Sequence, residues 1–338
     1  MKKQFPILEV KGTHQDIGYA IGTRFKKEIQ NRIYLRKKLI PNYSQYLEQC
    51  APYYSATKQY LPKLIEELNA MASASSIPIE DLFFHNCREV YNFFNSLNDN
   101  ENDDHCTAVI SHLNEGLIIG HNEDWDPKAI DDLYILSATV NNTKIFALAN
   151  NTIIPGDSVM MNSYGLVQCI NELNSKSHLG IPKNFIARAI MESKNIDDAI
   201  NIVNNNPRAS GFNHVLAQNK DIVNIEITGP DTEVMRVNEK TFVHTNHYLS
   251  SKLSQHEKYH TKSSEKRFQK ATEILKNDLS PKDTTLNEMF KLLSDTSNGS
   301  LSICNQNTIA SIVFVPKQNE IWVCYGRPDL GEYIRYEL

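Results

Sequence analysis

The segment HCTAVISHLNEGLIIGHNEDWD, residues 105–126, decides the fold of this 338-residue chain. The ten residues before it, 95–104, read NSLNDNENDD and hold too few apolar side chains to pack, so they predict a surface loop. From Cys106 onward the apolar pattern changes to a period of two on both sides of a turn at 114–116. The segment therefore predicts a β-hairpin that begins at Cys106 and ends in GHNEDW, residues 120–125.

Before this hairpin the sequence predicts helices, and after it the sequence predicts both strands and helices. Residues 12–95 carry apolar side chains at spacings of three and four, which predicts helices. Strands are predicted at 134–140, 144–148, 158–162, 166–170, around 215, 223–227, 232–237, 242–245, 309–315 and 320–325, and helices at 184–193, 197–203, 263–276 and 286–293. Strands group with strands and helices with helices, so the sequence predicts an α+β layered fold rather than βαβ units.

Composition excludes several classes of protein. The chain is 41% hydrophobic and 22% charged, as in ordinary globular proteins, and its 35 Lys+Arg and 40 Asp+Glu give a net charge of -5. No basic run is longer than a pair, which argues against binding to nucleic acid or to an anionic membrane. Pro6 interrupts the only apolar stretch near Met1, and no window is apolar enough to span a bilayer. We therefore expect a cytoplasmic protein.

The six cysteines are spread along the chain without a Cys-x-x-Cys pair. This spacing favours reduced, buried thiols and argues against a structural zinc site, and we expect no cofactor. Cys106 differs from the other five because it stands at the start of a strand, beside the polar end of the neighbouring strand. It is a candidate nucleophile, and a buried core thiol is the alternative.

A second polar group, His244-Thr245-Asn246-His247, ends another predicted strand. The Asn246 amide could donate to a developing oxyanion, or it could bond its own backbone in a turn. Metal-dependent hydrolysis is a separate hypothesis, with His121, Asp124, His244 and His247 as the ligands.

The order and spacing of these and other motifs resemble those of a known family. The motifs are GTHQDIGYAIG (12–22), NCR (86–88), CT (106–107), GHNEDW (120–125), NSYGL (162–166), HTNH (244–247), TIAS (308–311) and GRP (326–328). Together they are similar to the acyl-coenzyme A:6-aminopenicillanic-acid acyltransferase family of N-terminal nucleophile (Ntn) hydrolases, which includes β-alanyl amine hydrolases. The resemblance implies a four-layer αββα sandwich with an N-terminal helical segment.

The resemblance also implies self-processing of one Ntn-hydrolase domain, residues 1–338. Cys106 attacks the carbonyl of His105, and hydrolysis of the resulting thioester gives an α chain, 1–105, and a β chain, 106–338. Cys106 then carries a free α-amino group, whose reference pKa of about 7.7 to 8.0 suits a general base for its own thiol.

The family pattern implies a role for each matching residue. Cys106 is the nucleophile, Asp124 orients the new amine, and Asn246 donates to the oxyanion. Residues expected to line the site without an assigned step are His105, Thr107, Asn122, Asn162, Asn171 and His244.

The implied activity is hydrolysis of a linear amide of a small acylated amine or amino acid, with acyl transfer to an amine as a variant. The expected partners are the small acylated substrate and the two fragments of one precursor, and a homo-oligomer is compatible with the sequence. An uncleaved Ntn-fold ligand-binding protein is the alternative.

Two positions depart from the family pattern. His105 replaces the usual glycine before the nucleophile, which either slows processing or supplies a proton carrier. Asn307-Thr308 stands where penicillin acyltransferases have Ser-Arg, so we expect the anion contact of that arginine to be missing, which argues against β-lactam acyl transfer.

Overall fold

The computed structural model describes residues 3–90, 106–113, 116–277 and 284–338. The predicted loop 95–104 lies outside these ranges. The strands are β1 (Ile7–Gly12), β2 (Thr107–Leu113), β3 (Gly116–Asp124), β4 (Leu133–Val140), β5 (Thr143–Asn150), β6 (Met160–Asn162), β7 (Val167–Glu172), β8 (Gly211–Gln218), β9 (Asp221–Thr228), β10 (Thr232–Val237), β11 (Thr241–His244), β12 (Thr308–Val315), β13 (Glu320–Tyr325) and β14 (Tyr333–Glu337). The α-helices are α1 (His14–Arg24), α2 (Lys26–Leu39), α3 (Tyr43–Tyr60), α4 (Pro62–Ser75), α5 (Ile79–Asn86), α6 (Lys183–Ile190), α7 (Ile196–Asn205), α8 (Lys262–Asn277) and α9 (Leu286–Leu293).

The strands form two sheets. The larger has the order β1-β4-β5-β6-β7-β8-β9-β10, and the smaller has the order β11-β2-β3-β12-β13-β14. Only the β1–β4 pair is parallel among the strand pairs of the described residues. Because β1 comes from the N-terminal segment and pairs with β4, the two sides of the predicted cleavage point build one sheet.

Alternation of side chains along the strands produces the layers. Ile119 and Ile312 face the core between the two sheets, whereas Ile118 and Val313, their neighbours in sequence, pack against α8 and α9 on the outer face. The outer face of the larger sheet packs against α1–α7 in the largest apolar cluster. The layers thus run helix, sheet, sheet, helix, and the predicted αββα sandwich is confirmed.

Differences from the sequence prediction lie at the edges and within the first helical third. The prediction missed β1 and β14, since both are short, half-exposed edge strands that carry charged residues. Over the described residues 12–90, the predicted helical region is divided into separate helices. One boundary is at Ser76, whose φ of 58° is left-handed, and Pro62 opens the helix α4. Within the described ranges, no helix has the length and apolar content needed to cross a bilayer.

Two glycines of the GTHQDIGYAIG motif let α1 approach α4 closely. A Cβ on Gly18 would lie 1.9 Å from the Glu67 carbonyl oxygen, and one on Gly22 would lie 2.3 Å from that of Met71. Backbone atoms cannot move aside as a flexible side chain can, so both positions require glycine for a steric reason. The motif is therefore a helix-packing signal.

We expect Gly18→Ala to lower the free energy of unfolding by about 2 kcal/mol or more, since overpacking against backbone is costly. The matched control is Gly116→Ala, where the nearest atom to the new Cβ is a Lys317 side-chain carbon at 3.3 Å. This control should change stability by less than about 1 kcal/mol. Urea unfolding of the three proteins measures the difference, and equal stabilities for the two variants would contradict the packing account.

Candidate active site

Cys106 lies immediately before β2, opposite the end of β3. The register pairs Thr107 with Asn122, which places Cys106 beside Glu123. The Cys106 Sγ atom is 3.5 Å from the Glu123 Oε1 atom, and the cysteine is only 6% exposed. The thiol therefore lies in a nearly dry environment, where a carboxylate interacts with it more strongly than in water.

Both backbone polar groups of Cys106 are held by side chains from distant parts of the sequence. Its N–H donates to the Asn246 Oδ1 atom at 2.9 Å. Its carbonyl oxygen accepts from the Asn171 Nδ2 atom at 3.0 Å and from the Arg267 Nη1 atom at 2.7 Å. Strand β7, helix α8 and the segment after β11 thus converge on one residue.

Arg267 is a site residue that the sequence analysis missed. Its guanidinium is fully buried and also donates to the Thr107 Oγ1 atom at 2.8 Å, the Asn246 Oδ1 atom at 2.9 Å and the Ser263 Oγ atom at 3.1 Å. Helix α8 thus supplies a buried arginine to the site. A signal was available: Arg267 lies four and eight residues before the buried Ala271 and Leu275, so the pattern puts a charge on the apolar face of the helix.

The hydrogen-bond network fixes the orientation of the Asn246 side chain. Cys106 N–H and Arg267 Nη2 are both donors, so the atom they share on Asn246 must be the amide oxygen. The Asn246 Nδ2 atom points instead to the Glu172 carbonyl at 3.3 Å. The predicted role of Asn246 was donation to an oxyanion, whereas these contacts present an acceptor to the Cys106 nitrogen.

Asp124 is fully buried at the end of β3. Its carboxylate accepts from the Asn305 Nδ2 atom at 2.9 Å and from the Thr308 Oγ1 atom at 2.6 Å. A shift in register between Thr308 and Ala310 lies opposite this strand end, and such irregularities re-aim side chains. Burial raises the pKa of Asp124 to about 7, although the positive charge of Arg267 acts in the opposite direction.

Glu123, the neighbour of Asp124, faces the thiol and was also not predicted as a site residue. Its Oε2 atom accepts a short hydrogen bond from the Ser158 hydroxyl and lies 3.3 Å from the His121 Nε2 atom. These two contacts hold one carboxylate oxygen and leave Oε1 toward Cys106. Its place inside GHNEDW was the available signal.

Two of the predicted lining residues support the scaffold. Asn122 donates to the carbonyls of Leu293 and Ile303 at 2.8 and 2.9 Å, which ties β3 to the end of α9 and to the segment after it. Asn162 donates to the carbonyl of Ser193 at 2.7 Å, and its oxygen accepts from backbone N–H groups of its own turn. The Asn122 Nδ2 atom and both polar atoms of the Asn162 amide bond to backbone groups, and neither side chain contacts Cys106 through these bonds.

The remaining predicted residues divide between the site and its surroundings. Thr107 and Asn171 touch the Cys106 environment, as described above. The His244 Nε2 atom lies 3.0 Å from the Glu226 Oε1 atom, a contact that both side chains make while fully buried. His105 lies outside the described residues.

The predicted metal ligands do not assemble. His244 pairs with Glu226, and the His247 Nδ1 atom lies 2.8 Å from the Ser264 hydroxyl. Over the described ranges, the one group of three or more His, Cys, Asp or Glu side chains that could share a metal ion is Cys106, His121 and Glu123. Only His121 of the predicted four belongs to it.

A cavity of about 400 Å³ opens next to the end of β3. Its lining includes Trp125, which directly follows Asp124, and Arg88, whose guanidinium lies 5.0 Å from the centre of the Trp125 ring. The volume is that of a site for a small molecule.

Comparison with known proteins assigns the chain to a family. The model of the acyl-coenzyme A:6-aminopenicillanic acid acyl-transferase family matches residues 112–330. The chain belongs to this family. The matched region contains GHNEDW and HTNH but begins after Cys106, so the family match does not itself include the candidate nucleophile.

Individual proteins that the chain resembles have low sequence identity to it. The chain is 23% identical over 223 residues to a β-alanyl-dopamine/carcinine hydrolase from Drosophila melanogaster, an alignment that covers 60% of the chain and 58% of that relative. The chain thus spans less than two thirds of the length of this relative. Two solved variants of a conjugated bile acid hydrolase from Clostridium perfringens are 12% identical, with TM-scores of 0.47 and 0.46, and each match covers 69% of this chain and 97% of the other.

The raised pKa of Asp124 gives stability a particular pH dependence. The folded state holds a proton on Asp124 between the ordinary pKa of 3.8 and about 7, so this residue makes the folded protein less stable as pH rises through that range. We expect Asp124→Asn to gain stability relative to the parent protein over the same range, by on the order of a few kcal/mol.

Thermal or urea unfolding between pH 4 and 7 measures this difference. Asp16→Asn is the control, because the Thr13 N–H and hydroxyl lower the pKa of Asp16 from its ordinary value of 3.8, so this residue titrates below the range measured. The stability difference between that variant and the parent should stay constant from pH 4 to 7. A constant difference for Asp124→Asn across the range would contradict the assigned burial effect.

Proposed function

We propose that this protein is a self-processing cysteine Ntn hydrolase that cleaves the linear amide bond of a small acylated amine. The observation that carries the proposal is the set of contacts at Cys106. Its nitrogen is held by the Asn246 oxygen, its carbonyl by Asn171 and Arg267, and its thiol lies beside Glu123. A backbone nitrogen held by side chains in this way is suited to become a functional amine.

Processing is the first step of the proposal. The Cys106 thiol loses its proton, and Sγ attacks the carbonyl carbon of His105 while the bond from that carbon to the Cys106 nitrogen breaks. In the uncut chain this nitrogen is an amide and cannot act as a base, so the Glu123 carboxylate, 3.5 Å from Sγ, accepts the thiol proton. Glu123 then gives this proton to the Cys106 nitrogen as its bond to the His105 carbon breaks, which yields the neutral α-amine. Water then hydrolyses the thioester and releases fragments 1–105 and 106–338.

Turnover uses the new α-amine. The neutral amine takes the thiol proton, Sγ attacks the substrate carbonyl, and the amine passes the proton to the departing amine of the substrate. Water, deprotonated by the same group, hydrolyses the acyl-thioester on Cys106. The buried Arg267 charge disfavours protonation of the neighbouring α-amine, which keeps it available as a base.

The charges around the thiol indicate a class of substrate. Glu123 and Asp124 follow one another at the strand end, and the charge of Glu123 contributes to the raised pKa of Asp157. Above about pH 7, where Asp124 is ionised, the two carboxylates outnumber the single Arg267 cation, so a cationic acyl group would be favoured over an anionic one. The Drosophila relative is a hydrolase of β-alanyl-dopamine and carcinine, so β-alanyl amines are the first substrates to assay. Acyl transfer would follow the same path, with an amine in place of water.

An uncleaved ligand-binding protein is the second candidate, and His105 in place of glycine is the observation that favours it. This form would use the cavity beside Trp125 without forming an acyl-enzyme.

Intact-mass spectrometry of the purified full chain decides between the two candidates. We expect two fragments of 105 and 338 − 105 = 233 residues, the larger beginning at Cys106, and we expect Cys106→Ala to remain one species of 38.6 kDa. Cys324→Ala, which removes another buried thiol, is the matched control and should be cut like the parent. An uncut parent protein after prolonged incubation would favour the binding protein, and normal fragments from Cys106→Ala would exclude the mechanism.

The role of Asn246 is tested by two variants of different chemistry. If its oxygen positions the Cys106 amine, Asn246→Asp keeps an acceptor and should lose less than about tenfold in kcat/KM, whereas Asn246→Ala should lose about 100-fold or more. If Asn246 donates to an oxyanion, both variants lose its donor and should fall together by about 100- to 1,000-fold. Steady-state kinetics on the processed proteins gives the answer, with circular dichroism to verify folding.

A further inference from the structure

We propose that Cys106, His121 and Glu123 form a binding site for a divalent transition-metal ion, best suited to Zn²⁺, whose occupation blocks the thiol. The inhibitory consequence rests on the proposed role of Cys106 as nucleophile, whereas the binding of the ion does not. The site is distinct from the metal-dependent mechanism considered from the sequence, because the ion here opposes hydrolysis.

The candidate ligand atoms lie close enough for small side-chain movements to bring them onto one metal ion. One donor atom from each of the three side chains lies within 4.8 Å of the others. Tetrahedral zinc with ordinary bond lengths separates a nitrogen from an oxygen ligand by about 3.4 Å, and a sulfur from an oxygen ligand by about 3.6 Å. The His121 Nε2 atom lies 3.3 Å from one Glu123 oxygen, Oε2, and the Cys106 Sγ atom lies 3.5 Å from the other, Oε1, so the carboxylate must rotate to bring a single oxygen to both ligands.

Burial of the three ligand residues favours binding of a metal ion. His121 is fully buried, and Cys106 and Glu123 are each only 6% exposed, so little solvent competes for the donor atoms. Three protein ligands leave a fourth tetrahedral position for water, as in zinc sites that are open to exchange. A thiolate, an imidazole and one carboxylate favour Zn²⁺ over Mg²⁺ or Ca²⁺, which prefer all-oxygen ligand sets.

The hydrogen bonds around the ligand side chains are consistent with reversible binding of the metal ion. The Ser158 hydroxyl orients the Glu123 carboxylate, as an outer-shell group does. The His121 Nδ1 atom is buried and has no hydrogen-bond partner, whereas a histidine at a dedicated metal site normally donates from its second nitrogen. The ion is therefore expected to come and go as an inhibitor and to be absent during catalysis.

Coordination has a defined proton balance. The Cys106 S–H bond breaks, its proton passes to the solvent, and the thiolate sulfur bonds to the metal without any change in oxidation state. His121 coordinates through Nε2 as a neutral imidazole, with its remaining proton on Nδ1. Binding should therefore tighten as pH rises.

His260, a histidine between two glutamates at the surface, is the control for metal binding. The two ring nitrogens of His260 lie 2.7 Å from Glu257 and 2.9 Å from Glu265. These carboxylates approach opposite sides of the ring, so one ion cannot use the histidine and both carboxylates through the contacts present. His260→Gln should leave metal binding unchanged.

The test is titration of the purified full chain with Co²⁺, which takes zinc positions and reports thiolate ligation through a near-ultraviolet charge-transfer band. We expect one ion per chain with this band, and an increase of about 100-fold or more in Kd for His121→Asn and for Glu123→Gln. Zn²⁺ should displace Co²⁺, protect Cys106 in the parent protein from alkylation, and inhibit hydrolysis until a chelator is added.

Several outcomes would overturn the proposal. These are the absence of the thiolate band, alkylation of Cys106 at the same rate with and without Zn²⁺, or unchanged Kd values in both folded variants. The alkylation measurement uses the parent protein and stands even if a variant fails to fold. Amide hydrolysis without metal binding would refute this site alone, and metal binding without hydrolysis would refute the proposed function alone.

Discussion

Burial of the Arg267 guanidinium is the constraint on which the site depends. A cation removed from water must recover its hydrogen bonds inside the protein, and Arg267 does so with Ser263, Thr107, Asn246 and the Cys106 carbonyl. These acceptors come from helix α8, strand β2 and the segment after β11. The need to satisfy one guanidinium therefore fixes three elements around Cys106, and Asp124 provides a nearby countercharge once it ionises, at about pH 7 and above.

The adjacent carboxyl groups of Glu123 and Asp124 lie in different environments within this site. Glu123 faces the thiol, with Ser158 and His121 on its second oxygen. Asp124 is enclosed by Asn305 and Thr308, where burial raises its pKa to about 7. Successive residues of a strand point to opposite faces, so a single sequence motif delivers one carboxylate to the thiol and the other to the support behind it.

The layered fold and the position of the hairpin were predictable, because apolar alternation and turn residues are local signals. Thr107 to Asp124 could be placed from the pattern alone. Arg267 could not be placed in the same way: it lies 161 residues from Cys106, and only the folded sandwich brings helix α8 to strand β2. The orientation of the Asn246 amide likewise depends on donors supplied by two distant residues, so the sequence indicated the residue but not which of its atoms faces the nucleophile.

The central claim is that the Cys106 sulfur carries the acyl group during turnover. The most direct measurement is rapid acid quenching of the processed protein during turnover of a β-alanyl amine, followed by peptide mass spectrometry. The account predicts a peptide beginning at Cys106 that carries the mass of the acyl group, and loss of this mass after treatment with hydroxylamine. Turnover with an unmodified Cys106 peptide, or with the acyl group on another residue, would contradict it.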